Sequence, residues 1–192
     1  ASGALDGVST AVPGLKDILV LGKVKQLERA GDDLLVLDAP AAGHAVTFLT
    51  SAAGLLDAAR VGPIRAQAQD VVDLLSDPSR CEVILVTLPE ETPVNEVVET
   101  AYKLEDRVGI KLGPIVVNGV YPVLAGLDDD LPDDTGLSAG QRDAVREAAE
   151  FRRSRQELQA EQLRRLDDAL PLAQLRLPFL FKSDLDPDDL DL

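Results

Sequence analysis

The sequence is poor in the residues that build reactive sites and membrane anchors. Its single cysteine, Cys81, allows no intrachain disulfide and no thiolate cluster within one chain. A reducing, cytoplasmic compartment is therefore expected. Methionine and tryptophan are absent and aromatics reach only 3%, so the core must be built from Leu, Val, Ile and Ala, a palette suited to a parallel sheet covered by helices. Positive charge is also scarce: 19 Lys and Arg stand against 34 Asp and Glu, a formal net charge of −15. A surface of that sign repels phosphate backbones and anionic lipid, so nucleic acid and membrane surfaces are not expected partners. No apolar run approaches the roughly 20 residues of a membrane span, and no basic leader with an apolar core opens the chain. No direct membrane insertion is expected.

A 45% hydrophobic content over 192 residues suffices for one substantial core, and a single domain over 1–192 is expected. The acidic residues concentrate at 128–134 and 184–191. Such runs read as solvated segments, here an acidic loop over 123–137 and an acidic tail over 182–192. The first residue is Ala and not Met, which is expected of a chain that begins inside a longer product or after processing.

Four short apolar runs read as strands, at 34–38, 83–88, 115–120 and 175–180. The first three are apolar on both faces, as expected of strands buried on both sides. Helical patterns lie between them. Pro13 and Gly14 precede one over 15–30, a second pair over 45–75 is broken near Gly62 and Pro63, and another runs from Pro93 to about 107. Ser138 is a good N-cap for a long helix over 138–170, dense in Ala, Arg, Glu, Gln and Leu. Its apolar positions Val145, Ala148, Phe151, Leu158, Leu163, Leu166 and Leu170 drift around the axis, which favours packing along a globular body over a coiled coil. Alternating strands and helices imply an α/β fold with a parallel sheet, whose ligand site forms at the carboxyl ends of the strands, after Asp38, Leu88, Asn118 and Pro178.

The motifs fall at those places. Residues 34–44 read LLVLDAPAAGH. A hydrophobic strand ending in Asp suits a carboxylate that holds a magnesium-bound water beside phosphates. Pro40 and Gly43 then permit a tight turn in which a backbone N–H can approach a phosphate. The plainer reading is that Asp38 caps the next helix and His44 is a loop histidine. Residues 86–96 read VTLPEETPVNE, where Pro89 and Pro93 stiffen the exit from a strand and Glu90, Glu91 and Glu96 stand near the positive end of a helix. Residues 115–122 read IVVNGVYP; the amide of Asn118 carries a donor and an acceptor on one plane, matching the edge of adenine, but Asn before Gly119 is also a common turn pair. Residues 175–181, LRLPFLF, read by themselves as a last buried strand.

Taken in order, these segments resemble the ArsA-like ATPases, the arsenical-pump and tail-anchored-protein-targeting family of the P-loop SIMIBI class. DAPAAGH is similar to their switch II signature D-T-A-P-T-G-H through Asp38, Pro40, Gly43 and His44. Both Thr positions are replaced, by Ala39 and Ala42 when aligned on Gly-His, with one residue fewer before the Pro. The resemblance runs over about 12–180. It implies a three-layer P-loop NTPase-like parallel sheet flanked by helices, with ATP and Mg2+ as ligands. It further implies Asp38, Gly43 and His44 as catalytic residues, with Asp38 also serving the metal. Asn118, Pro178 and Phe179 would hold the nucleotide base, and Glu90 would approach the nucleotide across a dimer interface, in a homodimer or a heterodimer with a related ATPase.

One element of that family pattern is missing. No G-x-x-x-x-G-K-[ST] occurs, so there is no amide cradle, no lysine for the β and γ phosphates and no hydroxyl for magnesium. The fold is therefore expected to be incomplete, lacking the first strand and the phosphate loop. The 192 residues alone are not expected to hydrolyse ATP. They read as the C-terminal part of an ATPase with a nucleotide-driven switch or, alternatively, as a non-catalytic subunit that pairs with an active partner. One cysteine cannot hold arsenite, and the absence of Met leaves a tail-anchor carrier role unsupported, so the anion or client stays open.

Overall fold

The chain punctuates its helices with Gly, Pro and Ser where the backbone needs them. In the computed structural model, which describes residues 15–31, 34–132, 135–182, 184 and 186–190, helix α1 spans Leu15–Ala30, α2 Ala42–Ala58 and α3 Pro63–Leu75. Between α2 and α3, Gly62 takes φ 103° and Pro63 opens the next helix, the break expected at that pair. Strand β1 is Val86–Thr87, α4 Glu91–Val108, β2 Ile115–Val120, α5 Ala139–Ala169 and β3 Gln174–Pro178, followed by a 3-10 turn at Pro187–Leu190. Ser138 caps α5 with a capping box: its hydroxyl accepts from the Gln141 N–H while the Gln141 side chain serves the Ser138 N–H. The expected helix start at Pro13 and Gly14, and parts of both acidic runs, including Asp133, Asp134 and Asp191, lie outside the described residues.

The chain divides into two compact units, residues 1–85 with 96–113, and residues 86–95 with 114–192. The first unit is helical. Helix α1 packs on α2 and α3, which pack on each other. Ile18, Leu21, Ala52, Ala68, Val71, Ala101 and Leu104 are buried there. A Cβ at Gly22 would stand 2.7 Å from Gln67 Nε2, so this glycine leaves room for the end of the Gln67 side chain. Lys25 pairs with Asp70, and Arg80 grips Glu28 through two bonds of 2.9 Å.

The second unit holds a parallel sheet of order β1-β2-β3, with Val86 opposite Val116 and Val116 opposite Leu175. The α/β class and the parallel sheet agree with the expectation, and such a sheet is compatible with part of a P-loop NTPase-like fold. One face, carrying Thr87, Ile115 and Val117, is buried.

Three expectations are corrected. First, residues 34–38 form no strand: the segment is irregular, with Leu34 79% and Val36 81% exposed. A strand exists only as one side of a ladder, and no described residues pair with this segment. Second, regular pairing in the 83–88 run shrinks to Val86–Thr87, with an isolated bridge from Val83 to Leu112. The opposite face of the sheet, with Val86, Leu88, Leu175 and Leu177, is exposed, so the strands are not buried on both sides. Third, α5 is buried only towards its C-terminal half, at Gln159, Gln162, Leu163 and Leu166, whereas Val145, Phe151 and Leu158 are exposed. Near its middle the helix contacts a polar loop, with Arg153 bonding Asp128 at 2.7 Å and Gln156 accepting from Leu124 N–H at 3.0 Å.

Candidate functional site

Within the second unit the three strands end side by side. Gly119, one residue past Asn118, takes φ 71°, a left-handed conformation that suits glycine. A Cβ there would lie 3.6 Å from Leu88 and 3.8 Å from Phe179, so the exits of all three strands meet at this point. Phe179 N–H donates to Val120 carbonyl at 2.8 Å, extending the β2–β3 contact beyond the strand. The structure thus gathers Glu90, Asn118, Pro178 and Phe179 at one end of the sheet. Asn118 is exposed and Pro178 half-buried.

Helix α5 lies against this end through polar side chains. Gln159, 3% exposed, accepts from Tyr121 N–H at 2.8 Å and donates to Gly119 carbonyl at 3.1 Å. Arg152 donates to Pro122 carbonyl at 2.7 Å. Arg155 pairs with Glu90 at 2.8 Å, and this bond holds the guanidinium above its ordinary range. Among the described residues no buried side-chain nitrogen or oxygen lacks a partner.

An aromatic cluster completes the site. Tyr121, Phe179 and Phe181 meet with centroids 4.7 to 5.4 Å apart, within the range of favourable edge and tilted packing. Arg152 stacks over Tyr121 at 4.4 Å and over Phe181 at 4.9 Å, and Arg155 lies 5.8 Å from the Tyr121 centroid. The chain has only two Tyr and four Phe; half of them converge here. Sequence reasoning missed Tyr121 and Phe181, although their rarity inside two of the motifs could have marked them. Arg152, Arg155 and Gln159 were not legible, because on a highly charged helix they look like any solvated face.

The other candidates belong to the first unit. Asp38 and Pro40 lie in the exposed, irregular stretch before α2, so Asp38 does not emerge from a sheet strand as expected. Gly43 and His44 occupy the first turn of α2. Ala41 at its cap supplies no side-chain acceptor, and the leading N–H groups of a helix have no intrahelical partner, a setting that favours an anion. The His44 N–H is the exception, since it already donates to Ala41 carbonyl at 2.9 Å, and a Cβ on Gly43 would meet no atom within 4 Å. Among the described residues no three His, Cys, Asp or Glu side chains converge as a metal cage. A single accessible carboxylate fits magnesium, which keeps most of its waters and takes its remaining ligands from phosphates.

No family model matches the chain. It is similar to the ATPase BagA of Mycobacterium tuberculosis, 35% identical over 127 residues, covering 62% of this chain and 37% of that protein. It is also similar to a Halobacterium salinarum protein carrying the name of an arsenical pump-driving ATPase, 27% identical over 187 residues, covering 93% of this chain and 26% of that one. The match thus spans well under half the length of these relatives. It supports a relationship to ArsA-like ATPases. Among the described residues no helix is long and apolar enough to cross a membrane.

Proposed function

We propose that this chain is the adenine-binding and switch-bearing portion of an ATPase related to the arsenical-pump ATPases, acting in a homodimer or with a related partner. The observation that carries the reading is the convergence of Asn118, Pro178 and Phe179 with Tyr121 and Phe181 at the strand ends. An aromatic cluster beside an exposed amide suits a purine, whose face packs on apolar groups and whose edge carries both a donor and an acceptor. Arg152 adds positive charge at that end of a strongly acidic chain, which favours an anionic ligand, whereas the charge of Arg155 is balanced by Glu90.

In this reading Asp38 holds a magnesium-bound water, and the turn through Gly43 and His44 senses the γ-phosphate. Bound magnesium would neutralise charge developing on the phosphates. Loss of the γ-phosphate then releases the turn, as with other phosphate-held loops. The 192 residues by themselves bind ATP weakly and turn it over no faster than buffer, because the phosphate cradle is not among them.

The test sets steady-state hydrolysis beside equilibrium nucleotide titration in the full-length protein and its Asp38→Asn variant. Replacing the carboxylate keeps size and polarity but removes the charge that orients the metal. Turnover should be abolished while affinity falls much less, as expected of a group acting mainly in the transition state. Near-normal turnover would reduce Asp38 to a helix-flanking residue and favour a non-catalytic subunit that pairs with an active ATPase.

A further inference from the structure

The side chain that holds the turn after Asn118 comes from a helix with no nucleotide motif of its own. We infer that Gln159 is a positioning residue for base selectivity: its buried amide locks the turn from Gly119 to Tyr121 and thereby aims Asn118. The inference rests on the adenine reading of that site.

Gln159 bonds to both sides of one turn. Its Oε1 accepts from Tyr121 N–H at 2.8 Å and its Nε2 donates to Gly119 carbonyl at 3.1 Å. The amide orientation is forced, since a backbone N–H requires an acceptor and a carbonyl requires a donor. A glutamate would lose the bond to Gly119 and set oxygen against oxygen; a leucine would orphan both backbone groups in a site only 3% exposed. Gln156 and Arg152 also hold the loop, at Leu124 and Pro122, but further along the chain. Gln159 alone among these three bonds a residue next to Asn118. Because Gly119 sits at φ 71°, a small relaxation of the turn swings the preceding residue, and a misaimed amide loses the directional contacts that separate adenine from guanine.

The experiment titrates the full-length protein with MgATP and MgGTP and reads the ratio of the two dissociation constants. The wild type should prefer ATP, and Asn118→Ala should erase the preference. Gln159→Glu should lower the ratio by roughly tenfold or more, since a directional hydrogen-bonding site discriminates strongly only when held in place. GTP affinity should change little. Gly119→Ala, which strains the turn without touching α5, should lower the ratio in the same way. It provides a second reading if the buried glutamate prevents folding. Gln162→Ala removes another buried amide of the same helix, 4% exposed and bonded to Arg165; it should lower stability without moving the ratio. If Asn118→Ala erases the preference while Gln159→Glu and Gly119→Ala retain it, or if Gln162→Ala lowers it equally, the inference is overturned and the adenine reading stands. If the wild type shows no preference, or Asn118→Ala leaves it intact, the adenine reading fails and the inference with it.

Discussion

Glu90 and Arg155, 65 residues apart in sequence, meet at 2.8 Å where β1 runs into α4. The pair ties the acidic start of α4 to the helix that carries Gln159. It also holds the guanidinium beside Tyr121. With the Glu90 side chain 43% and the Arg155 side chain 29% exposed, solvent screens much of its attraction.

A double-mutant cycle over Glu90→Gln and Arg155→Gln should therefore give a coupling of about 0.5 kcal/mol, in the range of exposed pairs. Urea midpoints of the four proteins measure it. A coupling of several kcal/mol would mean that the pair is far less solvated than its exposure indicates.

Leu166 is fully buried on α5, whereas Phe151 on the same helix is 64% exposed. Leu166→Ala should cost about 3 kcal/mol through lost burial and a residual cavity. Phe151→Ala should stay within about 0.5 kcal/mol, as for other exposed sites. Equal losses would show that the N-terminal half of the helix is covered in solution.

Acid should weaken the ties of the first unit. Glu28 is held below its ordinary pKa chiefly by the Arg80 hydrogen bond, Asp70 by Lys25, and Asp77 by the hydroxyl and backbone of Ser79. A carboxylate depressed in the folded state contributes stability above its unfolded pKa and loses it as pH falls through the folded one. The urea midpoint of Glu28→Gln should lie below that of the wild type at neutral pH. The gap should close on acidification below pH about 4, the ordinary carboxylate range. A gap that persists at pH 2.5 would refute the charge-based account.

Cys81 is half-buried, and burial pushes its thiol pKa up. At pH 7 its thiolate fraction then falls below the few per cent, roughly, of a free thiol, so alkylation should be slow. The rate should keep climbing with pH after a cysteine peptide has levelled off, and denaturant should accelerate it. Native reactivity equal to that of the peptide would show the thiol to be open to solvent.

Local chemistry was legible from the chain itself. Gly62 with Pro63, the Ser138 cap, and the helix-forming run of α5 are dictated by backbone preferences within a few residues, so their elements stand where the pattern indicates. The apolar run of β2 and the turn glycine after Asn118 were also readable, since both depend on near neighbours. Pairing was not. Residues 34–38 are as apolar as β2, yet β2 is a strand because β1 and β3 flank it, and 34–38 has no such neighbour among the described residues. Hydrophobicity records a demand for burial, whereas a strand requires a ladder partner, which need not be near in sequence. The same distinction governs the candidate site. Asn118, Pro178 and Phe179 could be picked out by residue type, but Arg152, Arg155 and Gln159 acquire their meaning only when α5 is laid against the strand ends. Bonds spanning 38 to 65 residues, from Gln159 to Tyr121 and from Arg155 to Glu90, leave no periodic trace in the sequence, so only the tertiary structure decides them.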